Sequence, residues 1–373
     1  MNLFDVYPLY DIELVKAKGC FVFDTNGNKY LDMYGGHAVI SIGHNHDYFV
    51  EKLKNQLDNI AFYSNSVINS LQIELAAKLG EASGYEDYSL FLCNTGAEAV
   101  ENALKLASFK TRSPNVIAFK NSFHGRTSGA LAVTDNQKIT SLYNRYHKVD
   151  FENFDAIDVY QKMGRKEIAA VIFEGIQGVA GIIEPNADFI EGIQILCKKH
   201  KIPIILDEVQ SGYGRTGKFF AHQHHQIKPD LITIAKGMGN GFPVAGVLIS
   251  PEFEAKHSLL GTTFGGNHMA CAAAISVLDV IKNENLMENA STIGNYIMTE
   301  LKKINNIKEI RGRGLMLGIE FDFAVKELRN KLLNEFHIFT GYAGTNVLRL
   351  LPPLSLSKVD ADYFLDSLGK IVN

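Results

Sequence analysis

Three stretches share one design: Ala169-Ala170-Val171-Ile172-Phe173-Glu174, Ile202-Pro203-Ile204-Ile205-Leu206-Asp207 and Leu231-Ile232-Thr233-Ile234-Ala235-Lys236. Each is a short apolar run that ends on an ionisable residue. Successive runs lie about thirty residues apart, the length of a strand-helix-strand unit. Uninterrupted apolar runs of this length read as strands of a parallel sheet covered on both faces. Such sheets take their ligands beyond the carboxyl ends of the strands. The pattern therefore predicts an α/β fold with Glu174, Asp207 and Lys236 gathered at one sheet edge.

Outward from this centre, helical and extended patterns alternate. Helical periodicity covers residues 49–57, 71–79 and 97–109, and strands are expected over 89–92 and 115–119. Upstream, Cys20-Phe21-Val22-Phe23 and Lys29-Tyr30-Leu31-Asp32-Met33 flank an Asn26-Gly27 turn, the signature of a hairpin. Downstream, a small-residue helix over 270–281 leads toward a C-terminal domain. That domain is expected to hold helices over 296–304 and 325–336 and extended runs over 315–321 and 347–350. The alternation predicts a doubly wound, mostly parallel sheet with helices on both faces.

Composition narrows the function. With 46% apolar and 21% charged residues, the 373-residue chain has the make-up of a soluble globular enzyme. A net charge of −4 without a basic cluster argues against nucleic acid as the main partner. No apolar stretch is long enough for a membrane span, and Met1-Asn2-Leu3-Phe4-Asp5-Val6 lacks signal-peptide blocks. Cys20, Cys93, Cys197 and Cys271 are scattered, without metal or redox spacing. We expect a cytoplasmic protein.

Asn94-Thr95-Gly96-Ala97-Glu98-Ala99 stands between a strand and a helix. Thr95 and Glu98 have capping-box spacing, and Gly96 and Ala97 leave backbone N–H groups open at the positive helix end. This suits a phosphate, although a capped helix with no ligand has the same sequence. In Phe123-His124-Gly125-Arg126-Thr127, the Phe can stack on a flat ring and the Arg can grip a carboxylate. A packed Phe and a solvated Arg would look alike here too. Asp207 and Lys236 are more specific. A carboxylate ending a buried strand needs a cationic partner, and a pyridinium N–H of pyridoxal phosphate is one. Lys236 precedes Gly237-Met238-Gly239-Asn240-Gly241, and a desolvated lysine there is a candidate carbonyl-attacking nucleophile.

Some patterns point elsewhere. Gly212-Tyr213-Gly214-Arg215-Thr216-Gly217 fits GxGxxG, yet no helix pattern follows and no acid stands about twenty residues on. We read it as a loop. His222, His224 and His225, and separately His44 and His46, lack a fourth ligand or zinc spacing, so no metal is expected.

Taken together, residues 91–99, Phe123-His124-Gly125-Arg126-Thr127, Asp207-Glu208-Val209-Gln210-Ser211-Gly212 and Thr262-Thr263-Phe264-Gly265-Gly266-Asn267 resemble the class III aminotransferases. The resemblance spans nearly the whole chain, including residues 35–39, 311–316 and 348–354. It is strongest to the acetylornithine and succinylornithine subgroup. It implies the fold-type I architecture of pyridoxal-phosphate-dependent transferases. The expected parts are an N-terminal segment over 1–46 packing with the small domain, a large cofactor-binding domain over 47–268 and a small α/β domain over 269–373.

The resemblance also implies roles. Lys236 holds the cofactor covalently and shuttles the proton, Asp207 pairs with the pyridine nitrogen, and Gln210 lies near the ring oxygen. Gly96 and Ala97 bind the phosphate, Phe123 stacks on the ring, and Glu174 orients from behind. A homodimer is implied, with Thr263 reaching the phosphate of the partner subunit and Thr262 near the acyl-ornithine. Arg126 is implied for the distal carboxylate and Arg349 for the α-carboxylate of the 2-oxoglutarate/glutamate pair. One departure stands out. Relatives commonly read Gln-Gly-Glu-Gly-Gly where this chain has Gln177-Gly178-Val179-Ala180-Gly181. In ornithine-type relatives that Glu masks the arginine matching Arg349, which Val179 cannot do. An uncovered Arg349 would favour a substrate with an additional carboxylate, such as N-succinylornithine. The expected reaction moves the δ-amino group of N-acetyl- or N-succinylornithine to 2-oxoglutarate, in arginine biosynthesis. Free ornithine and 4-aminobutyrate are the alternatives within the class, and a nucleotide-dependent oxidoreductase the alternative outside it.

Overall fold

The computed structural model describes residues 1–163 and 167–372. In it the three apolar runs become adjacent parallel strands, Ala170–Glu174, Ile204–Asp207 and Leu231–Ile234, each buried along its whole length. Register places Glu174 beside Asp207, and Asp207 beside Thr233. Lys236 then opens the short turn Lys236–Met238 at the same edge. The gathering predicted from the three strand ends is therefore present.

Among the described residues the main sheet has seven strands. Their order is Ser89–Cys93, Ala245–Ile249, Leu231–Ile234, Ile204–Asp207, Ala170–Glu174, Asn115–Phe119 and Lys148–Glu152. Only Ala245–Ile249 runs against its neighbours. The sheet is thus mostly parallel and carries one reversed strand. Alternating side chains divide between two cores, as the two-residue period of a strand dictates. Ile117, Phe119, Val171 and Phe173 pack with Phe189 and Ile193 of the helix Ala187–His200 on one face. Val116, Ala118, Ala170 and Ile172 pack with Ala99, Val100 and Ala103 of the helix Gly96–Thr111 on the other. Both faces are covered, which is why these strands need no polar side.

Two smaller sheets flank this centre. The strands Leu14–Lys18, Phe21–Asp24 and Lys29–Asp32 are antiparallel, and Lys29–Asp32 then pairs in parallel with Ile338–Phe339. The hairpin turn is held by Asp24, whose Oδ1 accepts from the N–H groups of Asn26 and Asn28 at 2.9 and 2.8 Å. The other sheet has the order Glu309–Arg313, Met316–Glu320, Val347–Leu350, Gly341–Ala343. The small-residue helix His268–Asn283 is buried over most of its length and packs on the helices Asp47–Asn59 and Ser70–Ser83. One apolar core continues from these helices into the C-terminal strands. All four cysteines are free and buried, and no described helix is long and apolar enough to cross a membrane.

Candidate active site

Beyond the three strand ends lies a cavity of about 340 Å³. Thr95, Gly96, Ala97 and Phe123 line one side, and Asp207, Gln210 and Lys236 another. Glu174 and Val179 complete the wall near the strand Ala170–Glu174.

The helix Gly96–Thr111 starts in the manner its sequence requires. Thr95 Oγ1 accepts from the Glu98 N–H at 3.2 Å, and Glu98 Oε2 accepts from the Asn94 N–H at 2.9 Å. The N-cap half of the expected capping box is present, but Glu98 reaches past Thr95 to the N–H of Asn94; the first two N–H groups of the helix, those of Gly96 and Ala97, are left without intrahelical partners. They line the cavity at the positive end of a helix 16 residues long. A β-carbon on Gly96 would stand 2.8 Å from Val209 Cγ1, so the close approach of this backbone needs glycine.

Asp207 is buried and fully engaged on the protein side. Its Oδ1 accepts from Thr233 Oγ1 at 3.1 Å and from the Val209 N–H at 3.0 Å. Its Oδ2 lies 2.7 Å from His124 Nδ1. The His124 side chain has no solvent exposure, and its Nε2 has no protein partner among the described residues. His124 stands inside the Phe123-His124-Gly125-Arg126 motif, where nothing local marks it as a partner of Asp207. Only the crossing of the loop after Asn115–Phe119 over the end of Ile204–Asp207 reveals its partner.

Lys236 has a left-handed backbone, φ 38°, two residues past the end of its strand. Burial lowers the pKa of its amine; the carboxylates of Asp207 and Glu174 oppose that shift, and Arg349 reinforces it. Glu174 is pushed up to about 7, chiefly by burial. Its Oε1 accepts from the Phe123 N–H at 3.0 Å and its Oε2 from the Gly178 N–H at 3.1 Å. Glu174 thereby ties together the two loops that carry Phe123 and Val179.

The remaining expected residues stand outside the cavity lining. Arg126 and Thr263 are exposed. Thr262 Oγ1 accepts from Asn94 Nδ2 at 3.1 Å and from the Gly265 N–H at 3.2 Å. Arg349 is not uncovered, contrary to the expectation from Val179. It is only 6% exposed. Its Nε donates to the Tyr342 carbonyl at 2.8 Å, Nη1 to the Gly178 carbonyl at 2.9 Å and Nη2 to the Tyr34 hydroxyl at 2.8 Å. Neutral oxygens cover it; among the described residues no carboxylate bonds to it. Val179 itself is 43% exposed at the cavity wall.

The other motifs are absorbed by structure. Gly212–Gly217 forms turns, and buried Arg215 within it donates to the carbonyls of Pro352 and Leu315. His222 sits between Glu208 and Tyr85, His44 meets Asp32, and His225 meets Glu184.

The residues present fit pyridoxal phosphate. Two free N–H groups at a helix start suit its phosphate, and buried Asp207 suits a protonated ring nitrogen. Lys236, with its lowered pKa, suits an aldehyde. Gln210 Oε1 is buried without a protein donor among the described residues, leaving an acceptor for the ring hydroxyl.

Comparison with known proteins agrees. The model of the family Aminotransferase class-III matches residues 6–372. The acetylornithine aminotransferase of Bacillus subtilis is 40% identical over 99% of this chain and 96% of its own length. That of Archaeoglobus fulgidus is 38% identical over 97% of this chain and 96% of its own. Among solved structures, the ornithine aminotransferase of Toxoplasma gondii superposes with a TM-score of 0.91 at 28% identity, covering 97% of this chain and 90% of its own. The acetylornithine aminotransferase of Elizabethkingia anophelis gives 0.83 at 29% identity, covering 98% and 94%.

Proposed function

The chain belongs to the class-III aminotransferases, and from that premise we propose that it moves the δ-amino group of an N-acylated ornithine to 2-oxoglutarate. It is a pyridoxal-phosphate-dependent aminotransferase of the fold-type I architecture. N-acetylornithine or N-succinylornithine is the amino donor, the N-acyl glutamate semialdehyde and glutamate are the products, and arginine biosynthesis is the setting. The names of the relatives at 35–40% identity favour the acylated substrate. Ornithine aminotransferases among the structural neighbours keep free ornithine as the alternative.

One observation carries the reading: Asp207 ends one strand and Lys236 follows the end of its neighbour at one cavity, opposite a capped helix start with free N–H groups. Pyridoxal phosphate, when bound, supplies a carbonyl that accepts the amino group and a ring that draws electrons from the reacting carbon. In our reading Gly96 and Ala97 hold its phosphate, and Phe123 packs against its ring. Asp207, fixed by His124, Thr233 and Val209, keeps the ring nitrogen protonated. Gln210 accepts from the ring hydroxyl. Lys236 Nζ, favoured as the neutral amine by burial, binds the cofactor and removes and returns the proton at the reacting carbon. Glu174 orients the two loops from behind. Arg349 takes the α-carboxylate of glutamate, Arg126 the distal carboxylate, and Thr262 stands by the acyl-ornithine.

The same reading makes the enzyme a cytoplasmic homodimer. Phe62, Tyr63, Val67, Ile68 and Phe264 are exposed apolar side chains, and the rings of Phe62 and Phe264 lie 5.4 Å apart. Such a patch beside exposed Thr263 suits a second copy, to whose phosphate Thr263 would reach. We further read residues 47–268 as the large domain, 269–373 as the small one and 1–46 as a segment joined to the latter; the pairing of Lys29–Asp32 with Ile338–Phe339 supports the last point.

The test is chemical. Purified enzyme should be yellow and should be bleached by borohydride, with the cofactor label recovered on Lys236. Label on another lysine, or a colourless protein that turns over nucleotide cofactors, would remove the assignment.

A further inference from the structure

Residues Gly35, Gly36, His37 and Ala38 all have left-handed backbones, with φ of 55°, 55°, 67° and 65°. His37 and Ala38 carry β-carbons, which disfavour this conformation. The turn is held from several sides. Asp32 Oδ1 accepts from the N–H groups of Tyr34 and Gly35 at 3.0 and 2.8 Å. Gln210 Nε2 donates to the His37 carbonyl at 3.3 Å. A β-carbon on Gly35 would meet the Leu351 carbonyl oxygen at 2.7 Å. The result brings Tyr34 and His37 together at the guanidinium of Arg349.

Proton counting fixes the direction of the Arg349 contact and, through the His37 tautomer, orients the next one. Arg349 can only donate, so its Nη2–H enters the Tyr34 oxygen, 2.8 Å away. The phenol has one proton of its own, and His37 Nδ1 lies 2.7 Å from it. A protonated Nδ1 would turn that phenolic proton away from His37. With Nδ1 unprotonated, His37 accepts that proton, and the sequence Arg349 to Tyr34 to His37 is a one-way relay of donors. Burial, followed by the nearby charges of Arg349 and Lys236, holds the His37 pKa below its ordinary value, which keeps this acceptor available.

We propose that Tyr34 and His37 are positioning residues for Arg349, setting the angle at which its guanidinium presents to the α-carboxylate of 2-oxoglutarate and glutamate. This rests on the reading that Arg349 binds that carboxylate. The reacting carbon of glutamate bears a carboxylate, whereas the δ-carbon of an N-acylornithine does not. A defect in this relay therefore falls on one half-reaction and spares the other. A neutral hydroxyl suits the task, since it orients the guanidinium without cancelling the charge that the incoming carboxylate needs. Gly341 belongs to the same arrangement: its missing side chain makes room for the Tyr34 ring, which a β-carbon would approach to 2.1 Å.

The experiment measures steady-state constants for both substrates in Tyr34→Phe, His37→Gly, His37→Asn and Arg349→Gln. His37→Gly relieves the left-handed backbone but removes the acceptor. His37→Asn tolerates the same backbone and restores an acceptor near the position of Nδ1. We expect KM for 2-oxoglutarate to rise about five-fold in Tyr34→Phe and His37→Gly, the size of one lost hydrogen bond. KM for the N-acylornithine should stay within about two-fold, and His37→Asn should return KM for 2-oxoglutarate to within about two-fold of wild type. Unchanged KM for 2-oxoglutarate in Tyr34→Phe and His37→Gly, or equal damage to both substrates without rescue by Asn, overturns the proposal. Arg349→Gln separates the premise from the inference. If it leaves KM for 2-oxoglutarate unchanged, the carboxylate assignment of Arg349 fails and the relay with it. If it raises that KM while the Tyr34 and His37 variants do not, the relay alone is wrong.

Discussion

Lys236 is a lysine whose surroundings disagree about its charge. Burial and Arg349 favour the neutral amine, while Asp207 and Glu174 favour the ammonium. Desolvation is the largest of these influences, so a neutral nucleophile is available at lower pH than for a free lysine. Lys236→Ala should lower transamination on the order of 1,000-fold or more, read as glutamate formed per enzyme. Full activity in that variant would refute the assignment. Glu174 gives a subtler test. Its pKa is raised to about 7, so it ionises as pH rises through that value and then pulls the Lys236 pKa upward. Glu174→Gln removes that pull. The acid limb of the rate at which apoenzyme captures pyridoxal phosphate should therefore move to lower pH. A limb that stays in place or moves upward would contradict the electrostatic account. Asp207→Asn keeps the shape but not the charge, and kcat should fall on the order of 100-fold with the protein still folded.

At the scale of elements, the helix start at Thr95 does two things. The Thr95 cap and the Glu98 contact to the Asn94 N–H fix the first turn, and the glycine at its head lets Val209 and the helix backbone close on one another. Inside a helix alanine is favoured over glycine by about 1 kcal/mol, but residue 96 is the first of this helix. Here its β-carbon would press on Val209 at 2.8 Å. Gly96→Ala should therefore weaken cofactor retention about ten-fold, measured by dilution and absorbance, while the melting temperature of the apoenzyme changes little. Equal cofactor retention would show that the close approach is not part of the phosphate site.

The same scale shows what a reader of the sequence can and cannot see. Apolar runs ending in Glu174, Asp207 and Lys236 were legible because continuous burial leaves no polar alternation to misread. The strand Ala245–Ile249 was not read, since it follows the Gly- and Pro-rich turns after Lys236 and contains Gly246. Lys148–Glu152 was missed for another reason: as an edge strand it mixes charged and apolar residues and is only partly buried. Asp207 was legible as an ionisable strand end, but its partner His124 was not, because the two meet only across strands far apart in sequence. The cover over Arg349 was equally invisible. It comes from Tyr34, Gly178 and Tyr342, three separate segments with no shared motif. The loss of Glu at position 179 read as exposure of the arginine, and the fold supplies neutral oxygens instead.

In the proposed homodimer, one chain is half of the active-site assembly. Ile68 is 88% exposed and Phe264 60% exposed, and both lie with Phe62 and Tyr63 on segments near Thr262 and Thr263. Placing a charge at the centre of such a patch, as in Ile68→Asp, should shift sedimentation from dimer to monomer. Activity should fall with it, because Thr263 would then be absent from the neighbouring phosphate site. An unshifted sedimentation profile would move the interface elsewhere on the surface.

In the proposed reaction, substrate choice involves the cavity and its loops together with Arg126 and Arg349, which stand outside its lining. The most direct test compares kcat/KM for N-acetylornithine, N-succinylornithine and free ornithine with 2-oxoglutarate, by following glutamate. We expect one or both acylated substrates to exceed free ornithine by on the order of 100-fold, a preference of about 2.7 kcal/mol. Free ornithine turned over as well as either acylated form would contradict the assignment of this enzyme to N-acylornithine.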